Sequence, residues 1–411
     1  MYYTGRERPV KQNARSTFAC RDVPVVRTGS ISGCLSIGTA TASTRREAVP
    51  SCPRGSAVIV KMQDCSRRLS RPLLVLALLL TVCYFIVSGR GWISGTLHCE
   101  QSTGPTRVCP LGTVDAQTGS VPREGFSQIF FLETGGHGSL TARISCAVES
   151  AAKLHPHWTV HLLSAASGDA NITFSGPYAQ MIRSIPNAAV SVIRPKEVFR
   201  GTPLESWYES GILDKSAFPV EHMADALRLA VLYKQGGVYL DIDVIVMRSL
   251  DPLPPFVCQS PVENGDMVSN GFLAFRRGAP FLMHLMQRAH EVYKPEEWSS
   301  IGPKLLRSVT LERCGAQEVK ALLGRRCGGD TGFTVIPHWM FLPVPYDRWE
   351  SFFIANASRE AWLMSSASYV VHVYNKMSSK APAAPGSAYR QAAETFCPES
   401  LRMSLDVLGT F

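Results

Sequence analysis

VEHMADALRLAVLYKQGGVYLDIDVIVM, residues 220–247, reads as a helix, a stop, a strand and a pair of carboxylates. Met223, Ala226, Leu227, Ala230 and Val231 recur at the i, i+3, i+4, i+7, i+8 spacing of a helix with one buried stripe. Gly236-Gly237 ends that helix. Val238-Tyr239-Leu240 predicts a short strand, with Asp241-Ile242-Asp243 at its end and a second apolar run, Val244–Met247, behind it. In an extended segment residues i and i+2 share a side, so Asp241 and Asp243 project together between apolar flanks. Carboxylates so close repel, and burial raises their pKa values unless a cation compensates. A hard divalent ion bridging to a diphosphate supplies that compensation, and oxygen ligands suit Mg2+ or Mn2+. Asp-x-Asp alone is common at solvated turns; the helix, double glycine and strand ahead of it favour the metal. Asp225 and Arg228 lie three apart on the helix, away from the stripe. They form either an ordinary i,i+3 ion pair or a face that meets a ligand beside the metal.

Upstream, Gln128–Leu132 (QIFFL) predicts the first strand, ending at Glu133-Thr134 before a Gly135-Gly136-His137-Gly138 turn. A helix over 140–154 and strands near Thr159–Leu163 and Val190–Ile193 follow. This alternation indicates an α/β layer with a mainly parallel sheet. No internal repeat and no second folded domain is evident.

The charge is unevenly placed. Residues 1–72 hold 13 Lys+Arg against 4 Asp+Glu, which is the whole net charge of +9; the remaining chain holds 29 of each. A neutral main body has no footprint for a polyanion, which disfavours nucleic-acid partners. Leu73–Val87, LLVLALLLTVCYFIV, is apolar on all sides except for Thr81. Its 15 residues cover about 22 Å as a helix, and extension to residue 93 brings it closer to the hydrocarbon thickness of about 30 Å. Arg67, Arg68 and Arg71 precede it, placing the N-terminus in the cytosol and the rest in the lumen, a type II arrangement. The same run fits a cleaved signal peptide, and either reading sends the remainder into the secretory pathway. Residues 1–72 read as a disordered basic segment, whose Arg-rich, acid-poor first part also has the character of an organelle transit peptide. Translation starting at Met62 would leave only a compact basic tail before the span. Residues 73–93 read as a signal-anchor, 94–125 as a stem and 126–411 as the lumenal folded domain.

Asn171-Ile-Thr173 and Asn356-Ala-Ser358 are glycosylation triplets, consistent with a lumenal location. Seven cysteines follow the span: Cys99, Cys109, Cys146, Cys258, Cys314, Cys327 and Cys397. Cys314–Cys327 is the best single pairing; closing a loop of about 14 residues stabilises by roughly 3 kcal/mol. An odd number leaves at least one thiol free or paired between chains. No C-x-x-C spacing occurs, which disfavours zinc.

The residues HMADALRLAVLYKQGGVYLDIDVIV (222–246), with FFLET (130–134), TPLESWY (202–208), SNGFLAF (269–275), GPKLL (302–306) and YVVHVYNK (369–376), resemble the lactosylceramide 4-α-galactosyltransferase family, which includes the α-1,4-N-acetylglucosaminyltransferases. The likeness runs from about Gln128 to Cys397. It implies a nucleotide-sugar-binding α/β fold of the GT-A type, Golgi-resident, membrane-anchored and retaining at the anomeric carbon. By this resemblance Asp241 and Asp243 are expected to hold the metal and diphosphate, with His372 completing the metal sphere. Asp225 and Arg228 are expected at the donor sugar, and Asn270, in the loop before the FLAF strand, at the reacting sugar. Lys376 would neutralise the leaving diphosphate, and Phe131 and Thr134 would receive the nucleotide. His372 also fits a packed strand histidine, Asn270 a turn-capping amide, and Phe131 and Thr134 plain core and cap.

The reaction expected is transfer of galactose or N-acetylgalactosamine from its UDP form to a sugar hydroxyl, most naturally on a glycosphingolipid. An enzyme using UDP-N-acetylglucosamine, acting on glycoproteins, would share every motif. An inactive carbohydrate-binding homologue is disfavoured by the intact Asp241, Asp243 and His372, and a metal nuclease or phosphatase by the neutral body. Oligomeric state has no signature in the sequence.

Overall fold

The computed structural model describes residues 126–136, 139–165, 174–355, 361–362 and 365–411. The expected basic segment, membrane span and stem, both glycosylation triplets, His137, Gly138, Cys99 and Cys109 lie outside the described residues. Among the described residues no helix is long and apolar enough to cross a membrane.

Among the described residues ten strands are formed: β1 Gln128–Glu133, β2 Thr159–Ala165, β3 Ala188–Ile193, β4 Gly237–Leu240, β5 Val244–Val246, β6 Phe256–Ser260, β7 Met267–Phe275, β8 Arg326–Cys327, β9 Phe333–Ile336 and β10 Val370–His372. The five longest helices are α1 Ala142–Leu154, α2 Pro219–Gln235, α3 Pro280–Val292, α4 Pro303–Cys314 and α5 Pro398–Leu408. Eight strands make one sheet in the order β3-β2-β1-β4-β7-β6-β9-β8. It is mainly parallel, as expected: only β7 and the edge strand β8 run against the others.

Both faces of the sheet are covered, so its strands read as nearly continuous apolar runs. In β1, Ile129 and Phe131 enter one core, Phe130 and Leu132 the other. The helix α2 differs from the single-stripe expectation. Every residue from Asp225 to Leu232 is buried, because the helix lies between the sheet and α3 and its polar face abuts the sheet's edge. Pro219 opens it and Gly236 caps it, the Gly236 amide returning to the Leu232 carbonyl. The Gly236-Gly237 turn tolerates no side chain. Both residues have positive φ, and a Cβ would fall 2.6 Å from the Arg277 amide nitrogen or 2.8 Å from the Gln128 carbonyl oxygen.

Among the described residues two disulfides brace the fold. Cys314–Cys327 forms as its spacing predicts, and Cys146–Cys397 fastens α1 to the residue that precedes α5. Cys258 is a buried free thiol in β6. Outside the main sheet, β5 and β10 pair antiparallel, placing His372 opposite Val244.

One core histidine makes stability depend on pH. His161, in β2, is 7% exposed and stacks on Phe130 with ring centroids 5.0 Å apart. Burial pushes its pKa down from 6.5 to about 4. The unfolded chain therefore takes up this proton below about pH 6.5 while the folded chain resists until about pH 4. The contribution is full above that window and is lost as pH falls through it. His161→Phe is expected to lose less stability than the parent between pH 6.5 and 4. The difference, on the order of 3 kcal/mol, is measurable by denaturant melts across that range.

Candidate metal and donor site

Asp241 follows the last residue of β4 and Asp243 precedes β5, so both carboxylates emerge at the carboxyl edge of the sheet. The β5–β10 ladder then carries His372 to them, and the Val373 amide donates to the Asp243 carbonyl at 3.0 Å. One ligating atom from each of Asp241, Asp243 and His372 lies within 4.8 Å of the others. His372 Nε2 is 3.0 Å from Asp243 Oδ1 and 3.8 Å from Asp241 Oδ2. Burial by itself would lower the imidazole's pKa, but the neighbouring carboxylates more than reverse this and raise it. Burial would likewise lift Asp243. The His372 charge and hydrogen bond, with the Asn375 amide donating to Oδ2 at 2.7 Å, hold it below its ordinary value. Two carboxylate oxygens with one imidazole nitrogen, which gives up its proton to bind a cation, are a donor set that fits Mn2+ or Mg2+.

The second oxygen of Asp241 is held from behind. Tyr239, two residues back and on the same side of the strand, donates its hydroxyl to Oδ1 at 2.7 Å. Arg228 Nη1 lies 3.2 Å from the same oxygen and donates to the Asn270 carbonyl at 2.7 Å. Its Nη2 is 3.2 Å from Asp225 Oδ1, and its guanidinium sits 4.6 Å from the Tyr239 ring centroid. Asn270 completes the group, its side-chain amide donating to Asp225 Oδ1 at 2.5 Å. Burial would lower Arg228, but Tyr239, Asp241 and Asp225 around it keep the guanidinium firmly protonated. Asp225 is pushed up to about 6, because the loss of water outweighs the attraction of Arg228.

Asn270 lies inside β7 and not in a loop before it. The pairing of β6 with β7 slips between Val257 and Cys258, leaving Asn270, Gly271 and Phe272 unmatched on that side. A bulge of this kind re-aims side chains at a strand's functional end. Close packing finishes the arrangement: a Cβ on Gly271 would lie 2.4 Å from Asp241 Oδ2, and one on Gly302 would lie 2.5 Å from Asp225 Oδ2.

Arg143, in α1, anchors the segment after His372. It donates to Asn375 Oδ1 at 3.1 Å, to the Ser378 carbonyl and hydroxyl at 2.8 and 2.9 Å, and to the Ala381 carbonyl at 2.6 Å. Phe353 and Tyr389 flank the guanidinium. Neither Arg143 nor the two glycines has a local sequence signal that points to the site. Tyr239 does, through the same i, i+2 rule that pairs the aspartates.

The remaining expected residues are placed differently. Thr134 borders an open cavity of about 870 Å3 at the carboxyl ends of β1, β2 and β3, with Ala165, Pro195, Tyr208, Asp214 and Val220 among its walls. The Thr134 hydroxyl donates to the Val220 carbonyl at 3.1 Å. Phe131 is wholly buried in the core, so its side chain packs the sheet and does not line the cavity. Lys376 is exposed, bonds Glu221 at 3.1 Å and lies 5.0 Å from the Trp298 ring centroid. The cavity and the carboxylates flank the junction of β1 and β4, where the strand order reverses, the place where open α/β sheets receive ligands.

Residues 274–404 match the family model described as an alpha 1,4-glycosyltransferase conserved region. Residues 141–258 match a glycosyltransferase sugar-binding region containing a DXD motif. The chain is 30% identical over 305 residues to the lactosylceramide 4-alpha-galactosyltransferase of Homo sapiens, covering 72% of this chain and 83% of that one. It is 28% identical over 260 residues to the alpha-1,4-N-acetylglucosaminyltransferase of Homo sapiens, covering 61% and 72%. Among solved structures, the galactosyltransferase LgtC in complex with donor and acceptor sugar analogues is 16% identical at a TM-score of 0.32, covering 68% of this chain and 100% of that one.

Two variants test the architecture by metal affinity alone. Gly271→Ala must displace the Asp241 carboxylate, and Arg143→Met releases the segment that carries Asn375. Each is expected to weaken Mn2+ binding, measured by calorimetry, by roughly 10–100-fold. The far-ultraviolet circular dichroism should stay unchanged.

Proposed function

On the premise that this chain belongs to the lactosylceramide 4-alpha-galactosyltransferase family, a family of D-x-D glycosyltransferases, we propose that it moves galactose or N-acetylgalactosamine from a UDP-sugar, in α-1,4 linkage and with retention, onto a glycosphingolipid such as lactosylceramide. The observation that carries this reading is the Asp241–Asp243–His372 cluster, which stands after β4, the sheet neighbour of β1, whose carboxyl end opens on the cavity. The cavity would take the uridine, with Thr134 on its wall, while the carboxylate pair faces the diphosphate. A bound Mn2+ or Mg2+ would supply Lewis-acid stabilisation of the charge that develops on the departing UDP.

The protein's own groups do the rest. Arg228 and Tyr239 fix one oxygen of Asp241, and the Asn375 amide fixes one oxygen of Asp243. Each carboxylate therefore presents its other oxygen in one orientation. Half-buried Asn270 is the group best placed to face the reacting sugar, with Asp225 and Arg228 as positioning residues behind it. Asp225 offers its Oδ1 to Asn270 and Arg228, and its Oδ2 lies against Gly302. A carboxylate so engaged is not posed as a nucleophile, which supports attack from the same face as the departing phosphate.

The short apolar span at 73–93 with arginines before it supports a type II anchor in the Golgi membrane, with the catalytic domain in the lumen. A second reading, transfer of N-acetylglucosamine to glycoprotein glycans, draws support from the 28% identical relative. Purified full-length chain, supplied with Mn2+ and a panel of UDP-sugars, is expected to transfer galactose or N-acetylgalactosamine to lactosylceramide. Sugar transfer only to a protein acceptor would overturn the glycolipid assignment. Asp243→Asn should lower turnover by roughly 100-fold or more, and full activity in that variant would remove the metal assignment.

A further inference from the structure

Trp298 is 48% exposed, yet the segment that presents it is tightly built. Tyr293, Ser300 and Ile301 on either side are buried. The Lys294 amide donates to the Ser300 hydroxyl at 3.0 Å, the Ala217 amide to the Pro295 carbonyl at 2.9 Å, and His222 Nε2 contacts the Glu297 carbonyl at 3.0 Å. Lys294 and Lys304 both pair with Glu297 at 2.9 Å. A large aromatic ring is thus held in water by a braced loop. Another exposed apolar residue, Met377, adjoins Lys376 in the chain, and Lys376 with its partner Glu221 leads to the ring.

The loop is bracketed by the site. It runs into Gly302, whose Cα packs against the Asp225 carboxylate and the Asn270 amide. Lys376, 5.0 Å from the ring centroid, directly follows Asn375, whose amide binds Asp243. The loop also joins α3 to α4, both downstream of β7, whereas the cavity lies at the ends of β1, β2 and β3. An acceptor hydroxyl must reach the reacting carbon from a direction that the nucleotide does not fill.

We propose that Trp298, flanked by Lys376 and Glu221, is an acceptor subsite that stacks against the terminal pyranose of a neutral galactoside. This rests on the transferase reading given above. One face of a pyranose presents polarised C–H groups, which the negative face of an indole attracts, while the ring-edge hydroxyls need a donor and an acceptor beside the ring. The Lys376 ammonium and the Glu221 carboxylate supply these.

Steady-state transfer to a soluble lactoside by the full chain tests the assignment, with UDP-sugar hydrolysis in the absence of acceptor as the second measurement. Trp298→Ala is expected to raise the lactoside KM by about tenfold or more, and Trp298→Phe to recover most of that loss. Hydrolysis and the UDP-sugar KM should stay within about twofold. An unchanged lactoside KM in Trp298→Ala would overturn the subsite, as would a fall in hydrolysis equal to the fall in transfer. A defect seen only with glycolipid in vesicles, and absent with the soluble lactoside, would assign Trp298 to the membrane surface instead. Failure of the parent chain to transfer to any galactoside would remove the underlying glycolipid reading before any variant is compared.

Discussion

Arg228 is the interaction on which this site depends. Asp225 comes from a helix and Asp241 from the end of a strand, and both meet one guanidinium. Arg228 and Asp225 are buried, and removing one partner of a buried ion pair leaves a charge without compensation, at about 3–5 kcal/mol, whereas Asp241 stays partly exposed toward the site. A lysine could not replace it. The planar fork reaches Asp225, Asp241 and the Asn270 carbonyl together, and its flat face lies on Tyr239. Helix α2, strand β4 and strand β7 are therefore registered against one another by a single side chain.

The sheet divides the labour in a way that follows from its topology. Strands β3, β2, β1 and β4 are parallel, so their carboxyl ends open on one edge. Strand β7 reverses direction next to β4 and would close that edge with regular pairing if it were unbroken. Its slipped register against β6 turns Asn270 toward Asp225 and leaves Gly271 thin enough to admit the Asp241 carboxylate. Local irregularity in an otherwise regular sheet is thus what allows the carboxylates, the amide and the guanidinium to share so small a space.

Periodicity made the helix–Gly-Gly–strand unit legible, because both its faces and its stop are local properties of the chain. The pairing of Asp241 with Asp243 was legible for the same reason, and so was the Cys314–Cys327 bridge, which closes a short loop. Other features depend on chain segments far apart. The approach of His372 is decided by the β5–β10 ladder, and only the family resemblance pointed to it. Arg143 reaches a segment more than 230 residues away, and no spacing rule connects the two. Burial of every face of α2 from Asp225 to Leu232 was missed because Asp225 and Arg228 look polar, and a polar face reads as a solvated one until its partners are known. Phe131 was assigned from its place at the end of the first strand and Lys376 from the family resemblance, whereas the Phe131 side chain packs in the core and that of Lys376 pairs with Glu221.

The order of these parts along the chain has a consequence for biosynthesis. Asp241 and Asp243 leave the ribosome well before His372, and Cys397, which fastens α1 through Cys146, comes later still. Until the last strand docks beside β5, the nascent protein carries two adjacent carboxylates without their imidazole. The centre is thus an end-of-synthesis structure: a prematurely terminated chain lacks both the third ligand, His372, and the cysteine that pairs with Cys146.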